Sequence, residues 1–273
     1  MNTEKVKAYF ERIGLELPEK IIPDAALLRK IHGAHCMIVP FENIDYLNME
    51  STPVDYDSIY ERIVTQRRGG VCLDVNTLLG WLLQELGYKV LDYGVKNYRD
   101  HVEDTPRWHK VLRVTDCEGT DWWCDVGDNE VLTKWPLLFA PDIVQEDSGE
   151  RYRFEKCNEA EWMLWIWRDG GWVKNFGFTE RVYSIQETYE AKCNGFDPDA
   201  PFTKIAMFGL KTENGRKSLT GNTYREITDG KLSEKRCSPE DMPWAYAQFG
   251  LKYPPELYKN EREPMADKMD RGM

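Results

Sequence analysis

The hydrophobic pattern changes period once, at Gly87, and that change governs what the chain can fold into. Before it, Val75, Leu78, Leu79, Leu82, Leu83 and Leu86 recur at the spacing of one helix face. After it, from residue 89 to about 188, β-branched and aromatic segments alternate with polar residues. Those segments lie at 89–95, 108–114, 122–126, 162–167 and 181–185, separated by Gly, Asp and Asn. A helical first third and a strand-rich middle are predicted. Within the first third, Val6, Tyr9, Phe10 and Ile13 mark a helix stopped by Gly14, and a second helix is expected over 25–34 with Asp24 as its N-cap. The final third is mixed. After a loop at 194–201, short strands are expected near 205–211, 217–219 and 223–227, and Ser238 followed by Pro239 opens a helix toward Gly250. The polar tail at 261–273 is expected to fray.

Composition narrows the function classes. The 273 residues suffice for a sizeable core, and 10 Trp, 14 Tyr and 10 Phe exclude intrinsic disorder. Thirty-six basic against 47 acidic residues leave a net charge of −11, which opposes a broad grip on nucleic acid or an anionic membrane. No apolar run approaches the ~18 residues of a membrane helix, and residues 1–12 lack the apolar segment of a secretory signal. A cytoplasmic location is expected. Seven cysteines without a CxxC pair argue against a disulfide framework or a zinc ribbon.

Chemistry concentrates at Arg67-Arg68-Gly69-Gly70-Val71-Cys72. Two residues without Cβ atoms deliver a cysteine to the first turn of a predicted helix. There, free backbone N–H groups and the helix dipole favour thiolate by roughly 0.3–1 kcal/mol, and by up to ~2 when partly buried. The two arginines add positive potential or pair with structural acids. A nucleophilic thiol needs a base, and the chain has four histidines: His32, His35, His101 and His109. Alternation in the segment around His109 puts His109, Val111 and Arg113 on one strand face. A hairpin turn centred on Cys117 then sets His109 opposite Asp125, with ~4.5–5.5 Å between Cβ atoms. A shift of one residue in the turn centre leaves the two as diagonal neighbours. Taken singly, each of the three has a bland alternative: a buried small hydrophobe, a strand histidine, a turn cap. Their joint occurrence points to a Cys–His–Asp thiol acyl-transfer triad.

These residues resemble the arylamine N-acetyltransferases. The similarity runs from Tyr9-Phe10-Glu11-Arg12-Ile13-Gly14-Leu15 through His32, Ala34-His35 and Val39-Pro40-Phe41-Glu42-Asn43, and peaks at Arg67 to Cys72 with Asn76. It continues with His109, Asp125-Val126-Gly127, Tyr152-Arg153, Pro201-Phe202-Thr203 and Gly215-Arg216. The resemblance implies an α+β architecture: a helical domain over 1–88, a β-barrel domain over 89–195 and an α/β lid over 196–273. It implies Cys72, His109 and Asp125 as a cysteine-protease-like catalytic triad. It also implies acetyl transfer from acetyl-CoA to an arylamine, arylhydrazine or arylhydroxylamine by a ping-pong route through an acetyl-cysteine, with no metal. Small-molecule partners and a monomer or weak homo-oligomer follow.

Where the family continues with Phe-Gly after Asp-Val-Gly, this chain has Asp128-Asn129. The family uses that turn, Gly127 included, to approach the coenzyme pyrophosphate, and its aromatic residue to line the acceptor pocket. Asp128 is therefore expected to face a polar or cationic acceptor, away from the phosphates. Leu73-Asp74 stands where an aromatic-Glu pair is usual. Phe41 is expected near the acceptor site, or else in the core. Arg216 and Lys217, with Lys211, are candidates for the coenzyme phosphates against a default of surface charge. His32, His35 and Cys36 have ligand-like side chains without a fourth partner, and a packed helix end is the favoured reading. Trp162, Trp167 and Trp172 are read as barrel packing, with a stacking platform as the alternative. Three other functions remain open: an amide synthase closing a lactam from a carrier-bound acyl chain, a thiol hydrolase, and a catalytically silent binding protein.

Overall fold

A computed structural model describes residues 2–50, 52–98, 109–128 and 133–253. His101, Trp108, Asn129 and the tail at 261–273 lie outside the described residues. The first third contains α1 (Thr3–Arg12), α2 (Ala25–Ile38), β1 (Phe41–Glu42), α3 (Ile44–Leu47), α4 (Tyr56–Tyr60) and α5 (Cys72–Glu85), with a π-helical turn at Glu61–Thr65 before α5. Asp24 caps α2 by accepting the Leu27 N–H at 2.8 Å. That helix runs past the expected end at 34, because His35 is itself core: fully buried, with a ring nitrogen 2.8 Å from the Tyr9 hydroxyl. Pro40 follows the C-cap Val39 and forbids continuation.

The middle third builds β2 (Lys89–Asn97), β3 (His109–Thr115), β4 (Asp121–Cys124), β5 (Leu137–Leu138), β6 (Gln145–Asp147), β7 (Glu150–Lys156), β8 (Glu161–Arg168) and β9 (Gly171–Thr179). They form one antiparallel sheet in the order β5-β4-β3-β2-β9-β8-β7-β6. Its two edges approach closure through a side chain: Gln145 on β6 accepts the Leu138 N–H at 2.6 Å and donates to the Leu138 carbonyl at 2.9 Å. Tyr93, Val95, Val111, Trp123, Phe154 and Phe176 fill the interior, each large side chain contributing about 1.5–3 kcal/mol of transfer energy.

Two expectations fail here. The β3–β4 hairpin pairs Leu112 with Cys124 and Arg113 with Trp123, so its turn centres on Glu118 and not on Cys117. Asp116 decides this by accepting the N–H groups of both Glu118 and Thr120. Residues 181–185 are also not a strand. Val182 makes only an isolated bridge with Tyr93, and Ser184 with Glu187 forms a capping box that opens α6 (Ile185–Asn194). Reciprocal satisfaction of two N-terminal donors outweighed a short β-branched pattern.

The last third adds β10 (Met207–Thr212), β11 (Gly215–Thr220), β12 (Thr223–Thr228), β13 (Lys231–Arg236) and α7 (Met242–Ala247). These strands form an antiparallel sheet in the order β1-β10-β11-β12-β13, with α7 on one face against Phe208, Leu219 and Tyr224. The first third is thus not purely helical, since Phe41 pairs with Gly209 and Glu42 with Phe208. A two-residue strand carries no period, so no sequence pattern announced it.

Candidate active site

Cys72 is the first residue of α5, and its placement follows from close packing upstream. A Cβ on Gly69 would lie 2.0 Å from the Pro40 carbonyl oxygen, so only glycine lets the chain pass beneath β1 into the helix. Asp74, in the first turn, accepts the Val71 N–H at 3.3 Å. Its carboxylate also meets Lys192 of α6 at 2.8 Å and Arg62 at 2.9 Å. All three of these charged groups are nearly devoid of solvent exposure. Burial pushes the Asp74 carboxyl up, yet Lys192 and Arg62 more than offset it and its pKa lies below the ordinary value. The arginine ambiguity resolves at Arg68, which pairs with Glu42 at 2.8 Å and Asp45 at 2.7 Å. Its charge serves the structure.

His109 begins β3 and meets the Asp125 carboxylate, Nε2–H donating to Oδ2 at 2.6 Å. Its imidazole is also hydrogen-bonded to Cys72, which leaves Nδ1 for the sulfur. Burial works against the imidazolium, but Asp125 first and Cys72 second more than offset it, and the His109 pKa stands well above the usual value. The ring stacks on Phe176 of β9, with centroids 4.8 Å apart and planes at 11°.

Asp125 is held from every side. Its Oδ1 accepts from Asn76 Nδ2 at 3.0 Å and from the Gly127 N–H at 2.9 Å, and its own N–H donates to His32 Nε2 at 3.2 Å. Asn76, one helical turn beyond Cys72, also accepts the Val126 N–H and donates to the Lys110 carbonyl. One amide thereby joins α5 to β3 and to the turn carrying Asp125. His32 Nδ1 donates to the Lys134 carbonyl, and burial lowers its pKa, so it stays a neutral bridge between α2 and Asp125. Asn76 and His32 were visible in the sequence only as matching letters, without a role. Phe176 was missed, and its only signal was alternation.

The other predicted residues divide. Gly127 packs directly on Cys72, since a Cβ there would lie 2.5 Å from the Cys72 Cα. Phe41 is buried in one apolar cluster with Cys72, Val71 and Leu73, beside Phe202 and Met207. Asp128 is buried at 3% exposure. Lys211 is buried too, 3.5 Å from Asp147, so it does not serve as a surface phosphate contact. Arg216 and Lys217 are consecutive on β11 and point to opposite faces, so they do not converge on one phosphate. His32, His35 and Cys36 are packed core, and among the described residues no three His, Cys, Asp or Glu side chains cluster as a metal site would require.

An N-acetyltransferase family profile matches residues 24–251. The chain belongs to the arylamine N-acetyltransferase family. Among its relatives, the arylamine N-acetyltransferase / N-hydroxyarylamine O-acetyltransferase of Salmonella typhimurium is 29% identical over 258 residues, covering 91% of this chain and 89% of the relative. The solved arylamine N-acetyltransferase structure from that organism superposes with a TM-score of 0.85 at 24% identity, covering 90% of this chain and 91% of the other. A Mycobacterium marinum arylamine N-acetyltransferase, solved in complex with CoA, superposes with a TM-score of 0.80 at 22% identity over 90% of this chain and 92% of the other. At these identities the structural matches speak for the fold alone. Among the described residues no helix is long and apolar enough to cross a membrane.

Proposed function

We propose that this protein transfers the acetyl group of acetyl-CoA to arylamine, arylhydrazine or arylhydroxylamine nitrogen through an acetyl-Cys72 intermediate. The observation that carries the reading is the 2.6 Å bond between His109 and Asp125, with the same imidazole bonded to the thiol at the start of α5. In the first half-reaction the Cys72 thiolate attacks the thioester carbonyl carbon, the bond to the coenzyme sulfur breaks, and His109 gives its proton to the departing thiolate. In the second, the acceptor nitrogen attacks the acetyl-cysteine carbonyl, His109 takes the nitrogen's proton, and Cys72 leaves as thiolate. Asp125 orients the ring and stabilises its charged form without touching substrate.

Phe41, in the apolar cluster around Cys72, is suited to an aromatic acceptor. The Asp128 carboxylate, three residues beyond Asp125, favours an acceptor with a polar or cationic substituent. Gly127 gives the turn its close approach to Cys72. Steady-state kinetics with acetyl-CoA and a set of arylamines tests the reading. Parallel double-reciprocal lines and acceptor-independent release of one CoA per enzyme support it. Intersecting lines, or CoA release that continues with water alone at the same rate, would favour a ternary-complex enzyme or a thiol hydrolase.

A further inference from the structure

Ala191 of α6 sits in the apolar cluster that contains Cys72, which brings that helix against the start of α5. The next residue, Lys192, is buried and reaches the Asp74 carboxylate at 2.8 Å, across 118 residues of sequence. From that contact a chain of alternating charges runs away from Cys72. Asp74 meets Arg62 at 2.9 Å, Arg62 lies 3.5 Å from Asp45, Asp45 meets Arg68 at 2.7 Å, and Arg68 meets Glu42 at 2.8 Å. Three cations balance three anions, and Lys192 is the end member beside the start of α5.

Burying such ions costs desolvation that offsets their attraction, so the chain of charges is a weak source of stability. It does act on the potential around Cys72. Asp74 occupies the first turn of α5, where its carboxylate accepts the Val71 N–H at 3.3 Å. An anion there suits the helix dipole but opposes negative charge on the neighbouring sulfur. Arg62 divides its charge between Asp74 and Asp45, so full compensation of Asp74 needs Lys192. Other titratable groups also bear on the sulfur. The His109 ring on β3 is bonded to it and backed by Asp125, and Asp128 follows Gly127 in the turn packed on Cys72. Tyr46 of α3 and Tyr183 ahead of α6 lie near the thiol, and burial pushes both phenols up, Tyr183 to about 12, so they stay neutral. Among these neighbours only the imidazole carries positive charge, and it changes charge during the reaction. Lys192 and Arg62 are the standing cations.

We propose that Lys192 is a positioning residue for the Cys72 thiol: held against Asp74 from α6, it neutralises the carboxylate at the start of α5 and so sustains negative charge on the sulfur. The proposal rests on reading Cys72 as the residue that is acetylated, and it adds a residue that sets the charge around that site. Lys192 acts through Asp74 and touches neither donor nor acceptor.

The rate of Cys72 alkylation at about pH 6, read by peptide mass mapping, tests it without acetyl-CoA. Iodoacetamide is neutral and iodoacetate is an anion of nearly the same shape, so the ratio of their rates reports the potential at the sulfur. Lys192→Met should slow iodoacetamide roughly three- to tenfold, and iodoacetate more. Asp74→Asn, which keeps an acceptor for the Val71 N–H, should speed both reagents, iodoacetate more; loss of a merely structural contact would slow them. The double variant Lys192→Met/Asp74→Asn should return to within about threefold of the wild type. Slowing in both single variants, an unchanged ratio in either, or a double variant as slow as Lys192→Met would overturn the proposal. Should Lys192→Met fail to fold, the acceleration in Asp74→Asn decides alone. Incubation with acetyl-CoA separates this proposal from the reading it rests on: if alkylation follows this pattern but Cys72 is never acetylated, the role of Lys192 stands and the acetyl-transfer reading falls.

Discussion

At the scale of single residues, what marks Cys72 is a partner imidazole, His109, that is itself bonded to a carboxylate, whereas the His32 ring 3.7 Å from Cys36 is held by backbone groups. Cys36 and Cys124 are buried and their thiols are pushed well up by desolvation, while Cys117, Cys157 and Cys193 are exposed. Iodoacetamide at about pH 6 should therefore modify Cys72 ahead of the rest, read by peptide mass mapping, because its thiol stands at the start of α5 and is bonded to the His109 ring. Equal labelling at the exposed cysteines would contradict the pairing. Asp125→Asn keeps the shape and removes the charge that raises the His109 pKa. Acylation should slow roughly 10²–10⁴-fold with the circular dichroism spectrum unchanged. The meeting of Cys72, His109 and Asp125 was legible in the sequence because a Gly-Gly-x-Cys helix start and a strand His–Asp pair each carry local signals. Asn76 and His32 were not, since their work is to bond a turn and a backbone N–H that only the folded chain brings near.

At the scale of elements, α5 and the turn at Gly127 meet backbone to backbone. Gly127→Ala forces a Cβ to 2.5 Å from the Cys72 Cα, so either the turn or the helix start must move. We expect a stability loss of about 1–3 kcal/mol by denaturant titration, together with a fall in acylation rate larger than that of any surface Gly→Ala control. Wild-type acylation in that variant would show that the contact is looser than the geometry requires. Elements with a strong local signal were legible: α5 from its leucine stripe, α2 from its Asp24 cap, β8 from its run of aromatic and branched residues. Elements without one were not. β1 is two residues long, β13 is exposed along its whole length, and α6 is announced by a capping box rather than by an apolar stripe. The hairpin register hung on Asp116 side-chain bonds, which shift the turn by one residue and leave His109 and Asp125 diagonal rather than opposite.

At the scale of the whole molecule, two buried ionic groups oppose each other in pH. The folded pKa of Asp74 is depressed by Lys192 and Arg62, so its contribution is present above the unfolded value near 3.8 and is lost as pH falls through the folded one. The folded pKa of His109 is raised, so its contribution is complete below about 6.5 and is lost as pH rises through its folded value. Urea titrations across pH should show stability declining on both flanks. Asp125→Asn should flatten the alkaline decline and leave the acidic one in place. An unchanged alkaline limb in that variant would mean that the imidazolium contributes nothing to folding. The same arrangement, a helix, a barrel and a sheet joined at one cysteine, sets the central test. Incubation with acetyl-CoA in the absence of acceptor, followed by intact mass and peptide mapping, should show one acetyl group, located on Cys72, lost on adding an arylamine and absent in Cys72→Ser. No added acetyl group, or one carried on another residue, would contradict the account.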